Sequence, residues 1–213
     1  MELLLIRHAD ALQGSGLGVE RSLDPAISDK GHAQSIELAS WLSEVDVAAL
    51  FTSPALRAVE TCSYTAVELG LFATVISDAH EYISVASRDA GCNCEELAAR
   101  FPFLNKPEVV SDAGWWPSRR RETESELFAR VERVRLHITQ AILSRFQNER
   151  VVLFSHSVFI RRLVLHLLPM LTTANPRPLG PLANTGVVQI RFWPEGPALD
   201  YYNCRPSCEV VDQ

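Results

Sequence analysis

The sequence predicts an α/β domain of three layers, with a mostly parallel central sheet between helices. Three short apolar runs carry that expectation. Residues 3–6 are Leu-Leu-Leu-Ile and stop at Arg7-His8-Ala9-Asp10. Residues 151–154 are Val-Val-Leu-Phe and stop at Ser155-His156-Ser157. A third run, 47–51, ends in Thr52-Ser53-Pro54, with Arg57 just beyond. A continuous apolar run bounded by polar residues reads as a strand buried on both faces, as in a parallel sheet covered by helices. The polar groups then fall at the carboxyl edge, where open α/β folds bind ligands. Two histidines and two arginines meet there.

Taken in order, the first strand leads into a polar loop holding Gln13, Gly14, Ser15, Gly16 and Gly18. It lacks the lysine of a P-loop and the helix placement of a dinucleotide fingerprint, so it reads as a rim of the site. Asp24-Pro25 begins a turn, and Ser28 or Asp29 caps a helix over 31–43 with Ile36, Ala39 and Leu42 inward. Pro54 suits the first position of a helix over 54–69, where its missing N–H costs nothing. Arg57 then lies in the first turn, beside N–H groups that already favour an anion. A strand at 73–76 ends in Asp78-Ala79-His80-Glu81.

Residues 85–121 are irregular apart from a short helix near 95–100, and such an excursion reads as a lid or binding insert over the carboxyl edge. It closes with Trp115-Trp116-Pro117 and Arg119-Arg120-Arg121. A long amphipathic helix spans 122–147, with Leu127, Val131, Val134 and Ile138 inward. The strand at 151–155 feeds a helix over 157–168. After a proline-rich loop at 172–183, residues 187–193 and 199–203 read as late strands at a sheet edge. No composition shift divides the chain, so residues 1–213 read as one domain.

Composition narrows the function. Of 213 residues, 47% are hydrophobic and 22% charged, enough for a full core. The net charge of −6 leaves no global basic field to draw nucleic acid or an anionic membrane, so any anion is held by a local cluster. The apolar start is too short for a secretory signal, and the stretch at 163–171 is interrupted by Pro169 and preceded by Arg161 and Arg162. Five cysteines fit a reduced, cytoplasmic protein. Cys92, Cys94, Cys204 and Cys208 could form a four-thiolate zinc site, but the spacings are not those of a knuckle, and free thiols are the expectation. His32, His137 and His166 lie in helices and read as structural. Neither metal nor cofactor is expected, and oligomeric state is not readable.

The residue types suit phosphoryl transfer. A neutral imidazole can attack phosphorus and carry the phosphoryl group, provided its other nitrogen is held by a hydrogen bond. The charge on the transferring group needs fixed donors, for which Arg7 and Arg57 are suited as two-pronged grips and a protonated His156 would be a third. A carboxyl group must give a proton to the leaving oxygen and later take one from water. Glu81 is the candidate, with Asp10 and Glu122 as rivals.

These residues carry a family resemblance. Arg7-His8 after its strand, Ser28-Asp29-Lys30-Gly31-His32-Ala33-Gln34, Ser53-Pro54-Ala55-Leu56-Arg57-Ala58 with Thr61, and Ser155-His156-Ser157 resemble the histidine phosphatase superfamily, the phosphoglycerate mutase-like enzymes. The resemblance covers about residues 3–165. It implies His8 as phospho-acceptor, a pocket of Arg7, Arg57 and His156, Glu81 at the position of the proton donor, and metal-independent chemistry. Ala9 and Ser157 stand where the family usually has glycine; Ser157 could assist phosphate binding or crowd it. Gln13 or Ser15 could replace an asparagine the family often has.

The reading is therefore phosphomonoester hydrolysis through phospho-His8 on an unidentified substrate, with a small phosphorylated substrate or inorganic phosphate as the bound partner. Mutase-type transfer needs a grip on a second acidic group, for which Arg119, Arg120 and Arg121 are the candidates. Two further readings are removal of phosphate from protein phosphohistidine and an inactive phosphate-binding or interaction module.

Overall fold

The four parallel strands of the sheet all end on one side, and the order of the sheet decides which ends are neighbours. The computed structural model describes residues 1–12, 22, 24–87, 89–105, 110–168 and 179–204. Strands β1 (Glu2–Arg7), β2 (Ala49–Thr52), β3 (Ala73–Val75), β4 (Arg150–Ser155), β5 (Val187–Trp193) and β6 (Gly196–Cys204) form one sheet in the order β3-β2-β4-β1-β5-β6. β4 pairs parallel with β1 and β2, and β2 with β3, while β5 and β6 are antiparallel additions. The two late strands lie at one edge of the sheet, as expected, with β6 outermost and β5 paired with β1 and β6.

Side-chain alternation along β1 and β4 builds the three layers. Leu3, Leu5, Val151 and Leu153 face α4 (Glu124–His137) and α6 (Ser157–Leu167), packing on Leu127, Val131, Phe159 and Leu163. Leu4, Ile6, Val152 and Phe154 face α1 (Asp29–Ser43) and α2 (Leu56–Leu69), packing on Leu38, Leu42 and Val59. Both faces of these strands are dry, which is why they carry no polar residue between their ends.

Several elements differ from expectation. In α1 the Ser28 hydroxyl accepts from the Gly31 N–H as the N-cap. Its buried stripe is Gly31, Ser35, Leu38, Ala39 and Leu42, and Ile36 is 59% exposed. Ser35 donates its hydroxyl to the Gly31 carbonyl at 2.8 Å, so a serine fits the dry face and Ile36, one residue round the helix, turns outward. Pro54 is not the first helical residue: α2 begins at Leu56 after Ala55, and the Asp24 carboxylate accepts from the Leu56 N–H at 2.5 Å. The long helix starts at Glu124 with a Thr123–Glu126 capping box and passes through a π turn (Ile138–Ile142) into the short α5 (Leu143–Arg145).

The insert holds α3 (Cys94–Arg100), capped by Asn93 and Glu96. Its Leu97, Leu104, Val110 and Trp115 join the core on the α1/α2 side. No helix among the described residues is long and apolar enough to cross a membrane.

Candidate active site

Because β4 lies between β1 and β2, the ends carrying His8, His156 and Ser53 stand side by side. Arg7 is in register with Ser155, and Thr52 with Phe154. The ladder runs one residue further: the His8 N–H donates to the Ser155 carbonyl and the Ser53 N–H to the Phe154 carbonyl, both at 2.9 Å. The His8 and His156 rings are 5.1 Å apart between centroids.

His8 Nδ1 lies 2.7 Å from the Ala9 carbonyl oxygen. A carbonyl only accepts, so Nδ1 carries the hydrogen and Nε2 keeps its lone pair. The Arg57 Nε donates to that Nε2 at 3.3 Å. Burial, and then the Arg57 charge, hold His8 well below the usual imidazole range, so the ring is neutral. Asn184 Nδ2 fixes the backbone by donating to the His8 carbonyl at 3.1 Å, and Thr61 Oγ1 accepts from the Ala9 N–H at 3.0 Å.

The family model for the histidine phosphatase superfamily, branch 1, matches residues 3–205. The chain belongs to that superfamily. No curated protein sequence matches it. Among solved structures, the chain is similar to mycobacterial glucosyl-3-phosphoglycerate phosphatase in complex with inorganic phosphate, with 23% identity, 96% and 98% of the two chains covered and a TM-score of 0.66. It is also similar to a phosphoserine phosphatase variant from Entamoeba histolytica in complex with phosphoserine (18% identity, 95% and 96% covered, TM-score 0.62). At these identities the likeness is one of fold.

In this histidine phosphatase frame the arginines are anchored from different sides. Arg57 is in the first turn of α2, whose start Asp24 holds. The other oxygen of Asp24 accepts from Trp115 Nε1 at 2.9 Å and the Cys92 N–H at 3.0 Å, tying the insert to the same turn. Arg7 Nη1 donates to the Leu182 carbonyl at 2.6 Å, while its Nε is buried without a protein partner. Burial lowers both guanidinium groups from their ordinary value, but a guanidinium stays charged at any working pH. Ser157 is turned to the same loop, its Oγ accepting from the Leu182 N–H at 3.2 Å. Leu182 thereby links Ser157 to Arg7.

His156 is held neutral by burial and by Arg57, so it is not the charged third donor that a protonated ring would be. Its Nδ1 is buried and has no protein partner. The Glu81 carboxylate accepts from the N–H groups of Tyr82, Val158 and Phe159 at 2.9, 3.2 and 3.1 Å, which seats it on the first turn of α6 beside His156. It opposes the burial shift of both Arg7 and Arg57 by its charge.

The rival acids are engaged elsewhere. Asp10 Oδ2 accepts from the Ser28 hydroxyl at 2.6 Å, and both oxygens of Glu122 are held by Arg130. Arg120 forks onto Glu126, so its position does not support the expectation that it meets substrate. Arg119 and Arg121, its neighbours in the run, are exposed. Gln13, Ser15 and Cys208 lie outside the described residues. Cys62, Cys92 and Cys94 are free thiols. Among the described residues no group of three or more His, Cys, Asp or Glu is placed to hold a metal ion.

Sequence reasoning gave no role to Arg130, none to Ser53 and Thr61 beyond their place in a motif, and none to Asp24 beyond a turn. Arg130 had a signal. It interrupts the apolar stripe of Leu127, Val131 and Val134, and a buried arginine needs a partner.

Proposed function

We propose that this chain is a phosphomonoesterase that forms a phosphohistidine on His8, without a metal, and acts on a small phosphorylated compound. The observation that carries the reading is the state of His8: neutral, with Nδ1–H spent on its own backbone and the Nε2 lone pair facing the Arg57 guanidinium. An imidazole so oriented is a nucleophile towards an electrophile gripped by that arginine.

Arg7 and Arg57 would hold the equatorial oxygens of the phosphoryl group, with His156 Nδ1–H as a neutral third donor. Nε2 of His8 attacks phosphorus and the P–O ester bond breaks. Glu81, which must enter the cycle as the carboxylic acid, gives its proton to the departing oxygen and, then ionised, takes one from the water that attacks phospho-His8 and releases phosphate. Ser157 supports the pocket through Leu182 and Arg7. Hydrolysis is favoured over mutase-type transfer because Arg120, the central residue of the arginine run, is already spent on Glu126.

Hydrolysis of p-nitrophenyl phosphate in the presence of EDTA tests the proposal. Turnover by the unaltered protein that disappears in His8→Ala is expected. Turnover that survives His8→Ala, or that EDTA abolishes, would overturn it; phosphate binding without turnover would favour the inactive module.

A further inference from the structure

Arg130 and Glu122 are almost wholly buried, at 2% and 1% exposure. Arg130 Nε and Nη2 each donate to one carboxylate oxygen of Glu122 at 2.8 Å. Nη1 donates to the carbonyls of Asp78 and His80, at 2.6 and 2.7 Å, and Nη2 to that of Glu81 at 3.5 Å. The five N–H groups of a guanidinium are thus all engaged, three of them on the backbone of 78–81. Glu122 holds the chain two residues beyond Glu81. Its carboxylate accepts from the Ile83 N–H at 3.4 Å, and its own N–H donates to the Ile83 carbonyl at 2.9 Å. The Phe159 ring lies 5.1 Å from the guanidinium, and the Phe159 N–H is one of the three donors on the Glu81 carboxylate.

A buried ion pair adds little net stability, because desolvation consumes most of the attraction. Its worth here is geometric. We propose that Glu122 and Arg130 are positioning residues that fix the backbone from which Glu81 reaches the leaving oxygen. The inference rests on the reading of Glu81 as proton donor. It predicts that disturbing the pair harms proton delivery and spares phosphate binding, which Arg7 and Arg57 perform from β1 and α2.

The test compares kcat/KM on phenyl phosphate, whose leaving group needs a proton, with that on 2,4-dinitrophenyl phosphate, whose leaving group departs as a stable anion. The Kd of inorganic phosphate is measured alongside. Arg130→Lys keeps the charge but has at most three of the five donors. It is expected to lower kcat/KM on phenyl phosphate on the order of ten- to a hundredfold, as for a misplaced catalytic group, with a much smaller loss on the dinitrophenyl ester and an unchanged phosphate Kd. Equal losses on both esters, or none, would overturn the inference. Glu122→Gln, a smaller change, should show the same selectivity and serves if Arg130→Lys does not fold. Glu81→Gln separates the acid role from the bracing role. If it shows no leaving-group selectivity, the acid assignment fails; if it does and both brace variants do not, only the positioning role fails.

Discussion

The Ser53 hydroxyl oxygen lies 2.8 Å from His156 Nε2 and also accepts the Ala55 N–H at 3.2 Å. Among the described residues the hydroxyl proton has no acceptor but Nε2, so Ser53 donates there and His156 carries its own hydrogen on Nδ1. That buried Nδ1 has no protein partner, and it can donate to an anion without the ring becoming charged. Ser53→Ala frees the tautomer and removes a buried partner. The Kd of inorganic phosphate, measured by calorimetry, should rise by about tenfold, the equivalent of one charge-assisted hydrogen bond. An unchanged Kd would show that Ser53 does not set the donor.

Thr61 Oγ1 accepts from the Ala9 N–H and donates to the Arg57 carbonyl at 2.6 Å, coupling the backbone after His8 to the helix turn of Arg57. Thr61→Val keeps the shape and leaves a buried N–H unmet. Stability should fall by about 1–3 kcal/mol, read from the denaturant midpoint.

His8, His80 and His156 are all held neutral, His80 down to about 3, by burial first and then by nearby arginines. Their folded values lie below the unfolded value of about 6.5, so above that pH both states are unprotonated and stability is complete. As pH falls below it, the unfolded chain binds protons that the folded chain refuses. Each such histidine then costs about 1.4 kcal/mol per pH unit until its folded value is reached. The urea midpoint should therefore drop steeply between about pH 6.5 and 5, where most carboxylates are still ionised. A flat midpoint over that window would contradict the neutral rings.

A Cβ built on Gly31 would stand 2.1 Å from the Asp10 carbonyl oxygen, so the start of α1 can approach the segment after His8 only with glycine there. Gln34 Oε1, one turn on, accepts from the Asp10 N–H at 2.8 Å. Gly31→Ala must push the two apart. It should cost about 1–3 kcal/mol by the overpacking rule and reduce turnover, while Lys30→Ala, on the exposed side of the same turn, should leave both unchanged.

Much of this site was legible because buried parallel strands cannot carry polar residues. Arg7-His8 and Ser155-His156 therefore stand out at the ends of β1 and β4, and the resemblance supplied the roles proposed for them. The direction of β5 was not legible, since an apolar run reads the same whichever way it pairs. Ile36 was misplaced because the dry stripe of α1 runs through a serine, whose hydroxyl is satisfied by its own helix. Ser53 looks like a turn residue in the sequence; its partner is 103 residues away. Arg130 stands out as an anomaly in an apolar stripe, but the carbonyls it holds belong to another part of the chain.

The central claim is the covalent intermediate on His8, and rapid acid-free quenching with a labelled aryl phosphate tests it most directly. The expected result is label on the unaltered protein that is stable to alkali, lost in mild acid, mapped to His8 and absent from His8→Ala. Acid-stable label, label on another residue, or steady turnover with no phosphoprotein at any time would contradict it.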